Sequence, residues 1–254
     1  MNSPTQYHIP PPNLGALMEE FFTLAAAVAD QWQDEFAEKS KNHPTGTTPE
    51  LIIKAVEQLH GILQLHTGEE QQATDNSELN QCSDYGIQLF SELSSQAASI
   101  HLAQQSVDIE NLCFPFALWS ARLGAEISTL EPVVNAISRI ANGIRQPAGL
   151  EQLYREISEI VYAVSEPIRQ DMEAANPRRP WRILLLNRAI VATRSHQPVL
   201  IEDAYKDIVT MLPEDASRFF REGMEQMDTI GYPTHVREIV ETWFQRYSNK
   251  PTLH

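Results

Sequence analysis

The chain has 254 residues, of which 42% are hydrophobic, and this is enough to bury the core of one elongated domain or of two smaller ones. Its formal net charge of −15 at pH 7 would repel phosphates over most of the surface, which excludes a general nucleic-acid binder. The two cysteines, Cys82 and Cys113, cannot form a disulfide framework and are expected to be buried thiols in a reducing compartment.

The first residues of the chain do not resemble a secretory signal. Residues 1–12, MNSPTQYHIPPP, lack the basic start and the apolar run of a secretory signal. No stretch approaches the roughly 18 consecutive apolar residues that a membrane-spanning helix needs. We therefore predict a cytoplasmic protein without membrane insertion, in which residues 1–12 form an extended leader.

Charge is distributed unevenly along the chain. Arginine is absent from the first 121 residues, and residues 1–110 carry 16 Asp and Glu against 3 Lys. Residues 111–254 carry 18 acidic residues against 16 basic ones. We predict an acidic helical N-terminal region over residues 13–110, a C-terminal region of helical hairpins over residues 111–248, and a tail over residues 249–254.

Apolar residues at three- and four-residue steps predict three helices in the N-terminal region. The first begins near Asn13, and the second begins at Thr48-Pro49-Glu50, which combines an N-cap, a proline at the first helical position and an acid in the first turn. The stripe of the second helix consists of Ile52, Val56, Leu59 and Leu63. The third helix, over about 78–105, is the least apolar and is expected to be only partly packed.

The C-terminal region shows a faint repeat. Helix pairs that start near residues 113, 148, 181 and 213 have spacings of 35, 33 and 32 residues. This is the period of two-helix solenoid repeats of the tetratricopeptide kind, but the consensus residues of those repeats are not matched. An antiparallel bundle of short helices gives the same spacing. Because no segment alternates with a period of two, we predict an all-α fold, either solenoid-like or a globular bundle.

The only concentrated basic charge lies between Ala174 and Ile201, a stretch without acidic residues. Pro177 and Pro180 flank two arginines in a turn ahead of a predicted helix, where guanidinium groups could clamp a carboxylate or phosphate. The alternative is that these arginines pair internally with acids of neighbouring helices. The candidate residues for binding an anion or a partner are Arg178, Arg179, Trp181, Arg182, Arg188 and Arg194.

Two aromatic stripes are candidate interfaces. The first predicted helix carries Phe21, Phe22 and Trp32, and the last carries Trp243, Phe244 and Tyr247. Either stripe could belong to the core. The alternatives are a docking helix for the first and a homodimer seam for the second.

No sequence motif of catalysis is present. Glu57 and His60 form a single Glu-x-x-His, whereas a di-iron bundle needs two such motifs and further carboxylates, so neither a metal nor a cofactor is expected. We predict a non-enzymatic protein-interaction module, namely an adaptor, regulator or assembly factor that binds a protein partner through a helical surface with an arginine-rich turn. The alternative is a helical enzyme or small-molecule carrier that binds an anionic ligand near that turn.

Overall fold

The computed structural model describes residues 13–37, 47–66, 76–170 and 176–247. These residues form α-helices, and within the same ranges no strand is found beyond one isolated bridge between Ile127 and Val164. The predicted all-α class is therefore confirmed. The predicted leader over residues 1–12 and the tail over residues 249–254 lie outside the described residues.

The helices follow one another with short connections. They are α1 (Leu14–Ala37), α2 (Pro49–Leu65), α3 (Asn76–Ser99), α4 (Ala103–Asn111), α5 (Cys113–Arg122), α6 (Glu131–Gly143), α7 (Pro147–Ala163), α8 (Glu166–Arg169), α9 (Pro180–Ser195), α10 (Pro198–Met211), α11 (Pro213–Ile230) and α12 (Thr234–Tyr247).

The chain divides into two compact units. Unit 1 comprises the residues up to Ile140 together with Tyr162–Ile168, and unit 2 comprises Ala141–Val161 together with the residues from Arg169 onward. The division predicted from charge, between residues 110 and 111, falls inside unit 1.

Helix α3 is the central element of unit 1 and packs against α1, α2, α4 and α5. Its Phe90 stacks on Phe21 of α1 at 4.6 Å between ring centroids and lies 5.2 Å from Phe116 of α5. Gly86 allows the close approach, because a Cβ at this position would lie 2.6 Å from the Phe116 ring. The expectation that this helix is only partly packed is wrong, since Ile87, Phe90 and Leu93 have no exposed surface.

Hydrogen bonds from backbone N–H groups to side chains of α3 hold the connection between α5 and α6 in place. The backbone N–H groups of Ser128 and Thr129 donate to Oδ1 of Asp84 at 2.9 and 2.7 Å, and that of Glu126 donates to Oδ1 of Asn80 at 2.8 Å. Asp84 and Asn80 of α3 therefore accept hydrogen bonds from backbone N–H groups of the loop that would otherwise lack a partner.

Two helical hairpins occupy the C-terminal part of unit 2. Helix α9 packs against α10, α11 packs against α12, and α10 contacts both helices of the second hairpin. Trp243 stacks on Phe220 at 5.6 Å, and Tyr205 meets both rings edge-on. Helices α5, α7, α9 and α11 start at Cys113, Pro147, Pro180 and Pro213, each within one residue of the predicted starts. Both predicted arrangements, solenoid-like and bundle, accommodate this spacing.

Candidate functional site

The turn before α9 and the first turn of that helix place one arginine in solvent and two in ion pairs. Arg178 is exposed, and its backbone N–H donates to Oδ1 of Asn176 at 3.0 Å. Arg179 is buried and donates to Glu214 at 3.0 Å, while Arg182 makes a two-pronged contact with Asp215 at 2.6 and 2.5 Å. Both acids belong to the first turn of α11, where negative charge also stabilises the helix dipole. These pairs join the starts of two successive hairpins.

Arg188 lies at the centre of a buried polar network that joins α7, α9 and α10. The residue is 2% exposed, and its guanidinium lies 4.6 Å above the ring centroid of Tyr154. Its Nε donates to Ser158 Oγ at 2.9 Å, and its two terminal nitrogens donate to Asp203 and Asp207 at 2.5 Å each. Because the guanidinium is so little exposed, an external anion could reach it only if the surrounding side chains moved.

The two carboxylates of this network differ in pKa because their surroundings differ. Burial alone would raise the pKa of Asp203, but the hydrogen bond from Tyr154 at 2.6 Å and the charge of Arg188 hold it below its ordinary value. At Asp207, burial outweighs Arg188 and raises the pKa. Burial also raises the pKa of the Tyr154 phenol, so Tyr154 acts as a hydrogen-bond donor. The arrangement is that of a structural ion-pair network.

The last arginine of the segment binds backbone carbonyls. Arg194 donates to the carbonyl oxygens of Ala141 and Ile144 at 2.8 and 2.7 Å, at the C-terminal end of α6, where a cation is favourable. Trp181 is 4% exposed and belongs to the core. The contacts of Arg179, Arg182, Arg188 and Arg194 favour the internal-pairing alternative, and binding of an external anion or partner by this segment stays a prediction.

The aromatic candidates lie mainly in the cores of the two units. Phe21 has no exposed surface, Trp32 is buried and Phe22 is half-buried. Trp243 is also buried, and its indole N–H donates to Glu202 at 3.2 Å, while Phe244 and Tyr247 are half-buried. This burial favours the core alternative for both stripes over docking or dimerisation.

A surface groove that the sequence analysis missed lies between α2 and α3 in unit 1. It is open to solvent, has a volume of about 340 Å³, and most of its lining surface is apolar. The lining residues are Ala55, Gln58, Leu59, Ile62, Gln81, Cys82 and Tyr85. Large apolar side chains remain exposed on these two helices: Leu51 is 56% exposed, Leu65 81% and Tyr85 47%. The predicted stripe of α2, Ile52, Val56, Leu59 and Leu63, is buried against the core, and Leu59 also contributes to the lining of the groove.

A signal for this groove is present in the sequence. Leu51, Ala55, Gln58, Ile62 and Leu65 follow one another at steps of four, three, four and three residues, so they form a second stripe on α2. Helix α2 therefore carries two stripes, an apolar one that faces the core and an exposed one that is apolar except at Gln58.

The groove is bordered by negative charge. Cys82 is half-buried in its wall, and its thiol pKa is raised by burial and, in addition, by the charge of Glu78 one turn earlier. Glu78 itself is exposed. The groove is thus an apolar surface with a carboxylate near one edge.

Among the described residues, no group of three or more His, Cys, Asp or Glu side chains could hold a metal ion. None of the helices in the described ranges is both long enough and apolar enough to cross a bilayer.

Comparison with protein-family models, with characterised proteins and with solved structures finds no match to this chain.

Proposed function

We propose that this protein is a non-enzymatic protein-interaction module, an adaptor, regulator or assembly factor, that binds a protein partner in the groove between α2 and α3. The observation that carries this proposal is the apolar lining of the groove together with the exposed side chains of Leu51, Ile62 and Leu65. Contiguous apolar surface of this kind on a folded protein is characteristic of an interaction site.

The chemistry of the groove supports binding over catalysis. Its lining side chains are aliphatic, amide, thiol and phenol groups, and it contains no carboxylate, imidazole or amine. The Cys82 thiol is a poor nucleophile because its pKa is raised, whereas a nucleophilic cysteine needs a lowered one. Catalytic pockets instead bring together titratable groups with opposed roles.

The arginine segment supports a scaffolding role within this proposal. Arg179, Arg182 and Arg188 hold α9 to α7, α10 and α11 and so contribute to a rigid unit 2. Arg178 is the exposed member of the segment and the residue through which a partner could reach it. Anionic-ligand binding at Arg188 would require the surrounding side chains to move, because the residue is 2% exposed, and this makes the alternative less favourable.

Site-specific photo-crosslinking tests the proposal. A photoreactive amino acid replaces Ile62 in the groove or, as the matched control, Ile190 on α9; these side chains are 40% and 45% exposed. In cells that naturally make the protein, we expect a discrete covalent adduct with another protein from position 62 and none from position 190. Equal adducts from both positions, or no adduct from position 62, would contradict the proposed function.

A further inference from the structure

We propose that the occupant of the α2–α3 groove is a basic amphipathic helix of a partner protein. This inference rests on the proposed function and adds the chemistry of the partner segment. It follows from the spacing of the exposed stripe on α2 and from the charge of the two groove helices.

The spacing of the stripe indicates a helical occupant. Steps of four, three, four and three residues from Leu51 to Leu65 give a mean period of 3.5, which is the period at which one helix packs along another. The stripe extends over about 21 Å, at roughly 1.5 Å per residue, and would accommodate about four helical turns of a partner. Cys82 and Tyr85 of α3 form the opposite wall, so the helix would lie in a groove and contact two helices.

The charge of the groove helices indicates a basic occupant. Helices α2 and α3 together contain the five acids Glu50, Glu57, Glu78, Asp84 and Glu92 against the single Lys54. Asp84 is already engaged by the connection to α6 and Glu50 by Gln33 of α1, whereas Glu78 is exposed one turn before Cys82 of the groove wall. Lysines or arginines on the polar face of a docked helix would be attracted by this negative charge, which accelerates association.

The surrounding unit has the same sign of charge. Its described residues carry fifteen Asp and Glu against three Lys and Arg, a net charge of −12. A second copy of this chain docked groove to groove would bring two such surfaces within a Debye length, roughly 8 Å at physiological ionic strength, and would be repelled. The charge thus favours a basic partner over self-association.

Peptide display on the full-length protein tests the inference without assuming the sequence of the partner. A randomised peptide library is selected against the wild type and counter-selected against a groove variant, Ile62→Gln with Leu65→Gln. We expect enriched peptides with net positive charge and apolar residues at helical spacing. Enrichment of acidic, neutral or proline-rich extended peptides, or no enrichment at all, would overturn the inference.

Affinity measurements on an enriched peptide then locate the site. The groove variant should bind at least about tenfold more weakly, because it removes two apolar anchors. The control variant, Ile190→Gln with Val199→Gln, should bind like the wild type; its side chains are 45% and 78% exposed, against 40% and 81% in the groove variant. Equal loss in both variants would place the peptide elsewhere and overturn the inference.

The contribution of charge is measured separately. Glu78→Gln should weaken binding of the peptide about threefold at low salt and reduce its salt dependence. Glu225→Gln, at an exposed acid of unit 2, should leave both the affinity and its salt dependence unchanged. If Glu78→Gln has no effect, the groove does not select basic helices.

The two proposals fail in different ways. A crosslinked partner from position 62, combined with selection of non-basic peptides, would leave the interaction function intact and remove the basic helix. Selection of basic helices without any crosslinked partner would contradict the proposed function. The preference of the groove for basic helices would still stand. Crosslinks from position 62 to a second copy of the chain would contradict the basic helix and replace it with self-association.

Discussion

At Gly86 the packing of unit 1 leaves no room for a side chain. A Cβ there would lie 2.6 Å from the buried Phe116 ring and 3.0 Å from Leu59, so Gly86→Ala should lower the free energy of unfolding by about 1–3 kcal/mol. Gly61, on the exposed side of α2, has open space around it, and Gly61→Ala should raise that free energy by about 0.5–1 kcal/mol. Urea unfolding of both variants checks the pair; a neutral Gly86→Ala would mean that α3 and α5 pack less closely than described.

Arg188 and Arg178 provide a second contrast within one segment. Arg188→Ala removes the partner of two carboxylates and should cost about 3 kcal/mol, at the lower end for a buried pair because Asp203 and Asp207 can regain water. Arg178→Ala, at an exposed position, should change stability by no more than about 0.5 kcal/mol. Thermal unfolding measures both. Equal, small losses would mean that Arg188 is available to an external ligand after all.

The location of the arginine segment could be predicted from the sequence, but its partners could not. An acid-free stretch with five arginines is visible in the chain, and so are the two prolines around its turn. The paired acids, Glu214 and Asp215, are 35 and 33 residues away. Only the packing of α9 beside α11 brings them together, and the sequence alone left internal pairing and ligand binding as open alternatives.

At the scale of helices, the positions of prolines made several helix starts predictable from the sequence. Helices α2, α9 and α11 begin at Pro49, Pro180 and Pro213, because proline at the first helical position loses no intrahelical hydrogen bond. The helix predicted over about 78–105 is instead split in two. His101 takes a left-handed conformation with φ of 65°, and the hydroxyl of Ser94 donates to the Ser106 carbonyl at 2.8 Å as α4 folds back. This break depends on tertiary packing and has no glycine or proline to mark it.

A substitution at Trp243 tests whether α12 belongs to the core of unit 2. It stacks on Phe220 and Tyr247 and is 4% exposed, so Trp243→Ala should lower the free energy of unfolding by about 3–5 kcal/mol. Hydrogen exchange should also accelerate in α12 and α11. Gln245→Ala, an exposed position of the same helix, is the control and should change stability by no more than about 0.5 kcal/mol. A neutral Trp243→Ala would instead indicate an interface.

For the whole molecule, the structure locates the excess negative charge in one unit. Among the described residues, unit 2 carries thirteen acidic and thirteen basic residues, whereas unit 1 carries fifteen and three. The arginines of unit 2 are largely used for internal pairs, and the acids of unit 1 largely remain at its surface. The unit that exposes the apolar groove is therefore also the unit whose charge keeps like copies apart.

This combination predicts a pH-dependent self-association. As pH falls from 7 toward the isoelectric point near 4.9, the repulsion between copies weakens because the net charge approaches zero, while the exposed apolar stripe of α2 is unchanged. Light scattering should therefore rise as pH approaches 5. The variant Ile62→Gln with Leu65→Gln should associate less than the wild type, and Ile190→Gln with Val199→Gln should behave like the wild type, because only the first pair lies on a continuous stripe. If both variants associate to the same extent as the wild type, the α2 stripe does not drive self-association. That outcome would contradict the assignment of the groove as the interaction site.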